Sequence, residues 1–215
     1  MVFWRAGSNS NPVNLLNPVQ VNQLLLATRN SHKTREFADI LGGNFVVRDL
    51  AEEPDAPVIE ETGATFQENA ILKAVGVSQR VSGLVVADDS GLEVDALGGA
   101  PGVYSARYSG QGATDAQNIA RLLAELHRSG AQPPFSARFR CVLVIARNGE
   151  VVGTFEGAVE GTIVEPPRGE GGFGYDPVFE PAGFSETFGE LAPETKNRMS
   201  HRARAIERLR STLAG

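Results

Sequence analysis

The sequence predicts an α/β fold on a mixed β-sheet, arranged as one unit or as two lobes around a cleft. Three observations lead there. Short apolar runs of strand character are interleaved with capped, helically periodic segments, and the two kinds do not alternate strictly. Asn148-Gly149 separates two strand-like runs, the strongest short-range signal for an antiparallel hairpin. A chain of 215 residues is also long enough to bury a substantial core.

The elements follow in order. Residues 1–20, rich in Asn, Pro and Ser, are expected to be a flexible N-terminal extension ahead of one domain over 21–215. QLLLAT (23–28) reads as a short buried strand. A helix over 31–41 follows, with Asn30 or Ser31 as its cap and Gly42-Gly43 as its stop. NFVVRDL (44–50) is a second strand and 51–63 an acidic, Pro-containing loop. Thr65 and Glu68 form a capping box opening a helix to about residue 81, and a strand is expected at 84–88. TDAQ (114–117) resembles a second box, before a helix to about 127 with Ile119, Leu122, Leu123 and Leu126 on one side. The hairpin pairs 138–146 with 151–157, and GAVEGTIVE (157–165) is expected as another strand. A Gly-rich loop, a short strand at 176–181 and one helix over about 194–213 complete the chain. In that helix Met199, Ala203, Ile206, Leu209 and Leu213 recur at core spacing.

Composition narrows the function. A net charge of −6 argues against a general nucleic-acid binder. Cys141 is the single cysteine, so there is no internal disulfide framework or cysteine zinc site; in its apolar run it reads as a small buried hydrophobe. No run approaches the ~18 apolar residues of a membrane helix, and the first twenty residues lack the apolar region of a secretory signal, so the cytoplasm is the expected compartment. His32, His127 and His201 show no metal-ligand spacing, and DDSG is not a nucleophile elbow.

Several residues look misplaced for folding alone. Val85, Val86 and Ala87 run straight into Asp88 and Asp89. Two such charges about 4 Å apart repel by ~4 kcal/mol at an effective dielectric near 20, so a cation, donors or a proton must relieve them. Lys33 stands in the first turn of its helix, where the macrodipole disfavours a cation but an anion would gather both the lysine and the backbone N–H groups. Lys73 lies among Ala70, Ile71, Ala74 and Val75, and Glu61 just precedes its helix. RGEGGFGYDPVF (168–179) holds a G-x-G-x-x-G that fails as a dinucleotide fingerprint, because prolines precede it and Asp176-Pro177 follows. Its glycines suit a loop approaching a ligand, with Phe173 and Tyr175 available to stack on a planar ring. Lys196, His201 and Arg202 form a basic set in an acidic chain. Each feature alone also fits a solvated surface or an ordinary loop. Together they fit phosphoryl-transfer chemistry, in which Asp88, Asp89 and Glu61 hold Mg²⁺ and activate water while Lys and Arg neutralise phosphate.

Five ordered blocks carry a closer likeness: LLLATRNSHKTREFADIL, EETGATFQENAILKA, VVADDSGLEVDALGGAPGVYSARYSG, GTIVEPPRGEGGFGYDPVF and TFGELAPETKNRMSHRARA. From about residue 23 onward the chain resembles the inosine triphosphate pyrophosphatase family, the dITP/XTP pyrophosphatases. The resemblance implies an elongated two-lobed α/β fold around a long central mixed sheet with flanking helices, the active site in the cleft, and usually a homodimer. It implies Mg²⁺-dependent hydrolysis of non-standard purine nucleoside triphosphates (ITP, dITP, XTP) to the monophosphate and pyrophosphate, which cleanses the nucleotide pool. By motif, Thr28, Arg29, Asn30, Ser31, His32 and Lys33 match the phosphate-binding turn. Glu61 and Asp89 match metal ligands, and Asp89 also the proton acceptor. Ser90, Lys73, Phe173, Gly174, Tyr175, Asp176, Lys196, His201 and Arg202 match substrate contacts. Arg29 departs from the glycine many members carry; it either alters the turn or adds a phosphate contact. Asp88 matches a residue that supports the metal ligands from behind. A nucleotide sensor without turnover and a pyrophosphatase for other nucleotides are the competing readings, and no nucleic acid or membrane is expected as a partner.

Overall fold

The computed structural model describes residues 22–43 and 45–213, so the expectation for 1–20 falls outside them. β1 (Asn22–Leu26) leads through α1 (Ser31–Leu41) to β2 (Phe45–Asp49), and α2 (Phe66–Ser78) returns the chain to β3 (Val85–Val94). After α3 (Asp115–Ser129) come the long strands β4 (Phe135–Arg147) and β5 (Glu150–Ile163), then β6 (Phe179–Pro181), α4 (Pro193–Met199) and α5 (His201–Leu213). The strands form one sheet in the order β2-β1-β3-β4-β5-β6. It is parallel over β2, β1 and β3 and antiparallel from β3 to β6, the mixed α/β sheet expected. No helix among the described residues is long and apolar enough to cross a membrane.

The chain leaves β1 towards β2 and then passes back beyond β1 to β3, so right-handed crossovers put α1 and α2 on opposite faces. The core is divided accordingly. Ala70, Ala74 and Val77 of α2 pack on Val85, Ala87 and Val144. On the other face Phe37 and Leu41 of α1 join Ile206 and Leu209 of α5 over Val86, Leu143 and Ile145. A third cluster, with Ile119, Leu122 and Leu126 of α3, covers Leu92, Val94, Phe139 and Phe179 further along the same strands. The long strands therefore carry two packed regions, and the cleft lies between them.

The caps behave as their chemistry requires. Asn30 Oδ1 accepts the N–H groups of His32 and Lys33, and Thr114 with Gln117 closes a full capping box. Thr65 Oγ1 accepts from Glu68 N–H, but the Glu68 carboxylate takes the N–H of Ala64 instead of the cap's own.

Other expectations need correction. The strand expected at 84–88 runs on to Val94, because β4 pairs with it as far as Val94 opposite Ala137; Asp88 and Asp89 are mid-strand residues. The runs 151–157 and 157–165 are one strand, β5, drawn out by pairing along all of β4. The segment at 176 opens as a 3-10 turn, Asp176–Val178, with the N–H-less Pro177 in it. The final helix is broken at Ser200, whose backbone is extended and whose Oγ accepts the N–H of Ala203, so it ends α4 and caps α5. Met199 is only half-buried, and the side chain of Leu213 lies outside the described residues. Two unforeseen 3-10 turns, Asp95–Leu97 and Gly102–Arg107, join β3 to α3.

Candidate active site

Because the connections from β1 and β3 diverge, a crevice opens where β1 ends, the usual position for a ligand in such sheets. The turn at 28–30 lines it. Thr28 Oγ1 accepts the Asn30 N–H at 3.1 Å, and α1 starts with no acidic residue in its first turn, leaving its positive end uncompensated. Ser31 and His32 are exposed there. The Arg29 guanidinium is held by the opposite loop, donating to the Ala56 carbonyl at 3.1 Å.

The pleat of β3 explains the paired carboxylates. Successive side chains point to opposite faces, so Asp88 and Asp89 do not face each other. Asp88 enters the α1/α5 side and is fully buried. Its Oδ1 accepts from Lys33 Nζ and from Ser90 Oγ at 2.9 Å; its Oδ2 accepts from Arg202 Nε at 2.8 Å and the Cys141 thiol at 3.2 Å. Burial pushes its proton affinity up, but Arg202 and Lys33 outweigh that and hold it well below the usual carboxylate range. Four donors engage this carboxylate, so it joins side chains of α1, β3, β4 and α5. Cys141 stands behind it, buried as expected, its thiol pushed well up by burial and by Asp88.

Asp89 enters the α2 side. Lys73 Nζ donates to Asp89 Oδ1 at 2.7 Å, Glu61 Oε1 at 2.9 Å and the Asp88 carbonyl at 2.9 Å. Burial raises Asp89 above the ordinary carboxylate value despite Lys73 and Lys33, whereas at Glu61 burial is outweighed by Lys73, Arg107 and Lys33 together, and its value is lowered. Two neighbouring carboxylates are thus pushed in opposite directions, Asp88 down and Asp89 up, a pattern that separates structural from acid–base roles.

Two hollows meet at Asn30 and Lys33. One, of about 270 Å³, is lined by Thr28, Arg29, Glu61, Lys73 and Asp88. The other, of about 280 Å³, is lined by Ser90, Phe139, Phe173, Tyr175, Lys196 and Arg202. The glycine loop shapes the second. Asp176 Oδ2 accepts the Phe173 N–H at 2.8 Å and Lys196 Nζ at 2.6 Å. Gly172 has φ +73°, and a Cβ there would stand 2.0 Å from that same oxygen, so only glycine fits. Gly174 N–H donates to Asp115 Oδ2 at 2.6 Å. Phe173 is half-buried beneath Lys196 Nζ, 5.0 Å from its ring centre, and stacks with His32 at 5.4 Å. Tyr175 is buried and its hydroxyl donates to the Ser105 carbonyl, so it packs in the core and Phe173 alone is left to stack on a ligand.

Lys196, His201 and Arg202 are buried, and α5, which carries the last two, closes on β5 through Gly157, where a Cβ would lie 2.1 Å from the His201 carbonyl. Lys196 donates to Glu36 Oε1 at 2.7 Å, and Arg202 to Glu36 Oε2 and to Ser90 Oγ, the latter at 3.0 Å. His201 lies flat on Phe139 at 4.8 Å. Burial, with Arg202 and Lys196 adding to it, holds it well below its usual value, hence neutral, and its Nδ1 is buried without a hydrogen bond. Glu36 escaped the sequence reading, although it shares a helix face with Lys33 and the buried Phe37. So did Arg107, whose Nη1 donates to Glu61 Oε2 at 3.0 Å. Five carboxylates (Glu36, Glu61, Asp88, Asp89, Asp176) thereby meet five cations (Lys33, Lys73, Arg107, Lys196, Arg202).

Among the described residues no group of three or more His, Cys, Asp or Glu could hold a metal by itself. Glu61 and Asp89 nevertheless converge on one point, marked by Lys73 Nζ, and offer hard oxygen donors. That set suits a small divalent cation that takes one or two carboxylates and completes its shell with water and substrate oxygens.

A cationic crevice joined to a ring-sized cavity with one stacking face defines a protein that handles a phosphorylated, ring-bearing metabolite. The chain belongs to the Ham1 family, whose model matches residues 24–212. It is 50% identical over 190 residues to a dITP/XTP pyrophosphatase of Geobacillus kaustophilus, covering 88% of this chain and 93% of that one. It is 47% identical over 194 residues to a dITP/XTP pyrophosphatase of Bacillus subtilis, covering 90% and 98%. A HAM1 protein structure from Coxiella burnetii matches with a TM-score of 0.81 at 40% identity, over 90% of this chain and 98% of that one.

Proposed function

We propose that this chain hydrolyses non-standard purine nucleoside triphosphates (ITP, dITP and XTP) to the monophosphate and pyrophosphate, with Mg²⁺, and so cleanses the nucleotide pool. The observation that carries the reading is the mid-strand pair Asp88-Asp89, which sends one carboxylate to fix the phosphate and base cations and the other into the crevice beside Glu61. The names of the relatives support the substrate class.

Lys33 and the first N–H groups of α1 bind the phosphate chain at the junction of the two hollows. Lys73, held by Glu61 and Asp89, neutralises charge on the pyrophosphate leaving group. Glu61 and Asp89 would hold Mg²⁺, which when bound supplies positive charge to the phosphate oxygens. Asp89, made more basic by its burial, orients the attacking water and takes its proton. Phe173 stacks on the base. Lys196, which already binds Asp176, and Arg202 line this cavity, so the 6-oxo group of hypoxanthine or xanthine meets donors there, which the amino group of adenine would leave unpaired. The working protein is a cytoplasmic homodimer with no nucleic-acid or membrane partner.

The test is hydrolysis of XTP, dITP, ITP and ATP with and without Mg²⁺, products separated by ion exchange, in wild type and Asp89→Asn. Magnesium-dependent monophosphate and pyrophosphate from the first three, lost in the variant, is the expected result. Release of diphosphate and inorganic phosphate would overturn the cleavage position. Tight binding without turnover would leave a sensor.

A further inference from the structure

One ion pair at the edge of the crevice is used neither by the phosphate contacts nor by the base cavity. Arg107 ends the turn Gly102–Arg107, which packs on β3. Its Nη1 donates to Glu61 Oε2 at 3.0 Å and its Nη2 to the Glu61 carbonyl at 3.4 Å. Lys73 takes the other carboxylate oxygen, so a side chain suited to a divalent cation has both oxygens on organic cations. The two cations are not equivalent. Lys73 is 12% exposed and has three acceptors, two on β3 and one on the loop before α2, which fix it in place. Arg107 is 28% exposed, and both of its hydrogen bonds given above go to Glu61; its remaining contact is the Tyr104 ring, 5.5 Å from the guanidinium carbon.

We propose that Arg107 is a displaceable partner of Glu61. It competes with the divalent cation for that carboxylate and, once released, pairs with the phosphate chain. This rests on the reading that Glu61 and Asp89 hold the cation. Like charges beside one carboxylate repel, and the cation with the longer free stem and fewer anchors is the one that yields. A guanidinium gives up a carboxylate readily for a phosphate, because its donor fork fits both. Arg107 would then add a positive charge for the triphosphate beside those of Lys33 and Lys73.

One substitution should therefore move two affinities in opposite directions. Calorimetric titration of the full chain with MnCl₂ alone, and separately with MgCl₂ alone, is compared for wild type, Arg107→Met and Arg107→Lys, alongside steady-state XTP hydrolysis. Arg107→Met should bind the metal about fivefold tighter, the factor carried by one like-charge contact at ~4 Å in water, while KM for XTP rises by a similar factor. Arg107→Lys, which keeps the charge without the fork, should fall between, and it carries the test if Arg107→Met does not fold. Glu61→Gln alone should weaken metal binding, and adding it to Arg107→Met should cancel the gain in metal affinity. Metal affinity that is unchanged or weaker in both Arg107 variants overturns the role of Arg107 while Glu61-dependent binding in the wild type keeps the metal reading intact. Absence of Glu61-dependent binding in the wild type overturns both.

Discussion

Asp88→Asn changes one oxygen to an amide nitrogen in a side chain with no solvent exposure. The amide can face Lys33 and Ser90 or face Arg202 and Cys141, and either way it sets donor against donor. The matched set of five carboxylates and five cations becomes uneven, with Arg202 only 1% exposed and Lys33 15%. Removing one partner of a buried ion pair costs about 3–5 kcal/mol, because the partner left behind stays desolvated and unpaired. Urea unfolding of both proteins at pH 7.5 gives the difference. Since Asp88 is more acidic folded than unfolded, its contribution is present above the unfolded carboxylate value of ~3.9 and lost as pH falls through the folded value. The gap between the proteins should stay constant from about pH 8 to 5 and close only in stronger acid. A variant within about 1 kcal/mol of wild type at neutral pH, the range of an exposed pair, would refute the claim that this carboxylate ties the cluster together.

Glu36→Gln should loosen both Lys196 and Arg202, raising KM for XTP about tenfold with kcat less affected, since each charged hydrogen bond lost is worth about 1.5–3 kcal/mol; equal kinetics would mean that Asp88 and Asp176 hold the two cations unaided. Phe173→Ala should weaken inosine monophosphate binding by about 1–3 kcal/mol, the value of one base–aromatic stack, in a calorimetric titration; unchanged affinity would remove the ring from base binding. Gly172→Ala must displace Asp176 or the loop, so nucleotide affinity should fall in a calorimetric titration; intact affinity would show that the loop can shift without consequence.

What the sequence made legible was local chemistry. Asn30, Thr65 and Thr114 announce their helices because a cap acts within three residues, and Asn148-Gly149 announces its hairpin for the same reason. The continuation of β3 through Asp88-Asp89 was not legible, because burying those charges depends on Lys33, 55 positions away, and Arg202, 114 positions away. Ser200 was hidden by the periodicity that runs across it, although a serine ahead of a helical segment is a cap signal. Glu36 left a trace that went unread, a carboxylate beside Lys33 and Phe37 on a helix face that turns inward. Arg107 left none, since its partner belongs to a loop 46 positions earlier.

The separations that hid these contacts also order events in time. Glu36 meets Lys196 and Arg202 across 160 and 166 positions, so the earliest helix and the last two complete each other. A ribosome that has delivered only as far as β5 has released every carboxylate of the cluster except Asp176, and neither of the cations that answer Glu36. Until α4 and α5 emerge, Glu36 lacks both of its cations and Asp88 lacks Arg202, so the middle of the central strand must stay hydrated. Translation therefore completes the crevice only in its final stretch.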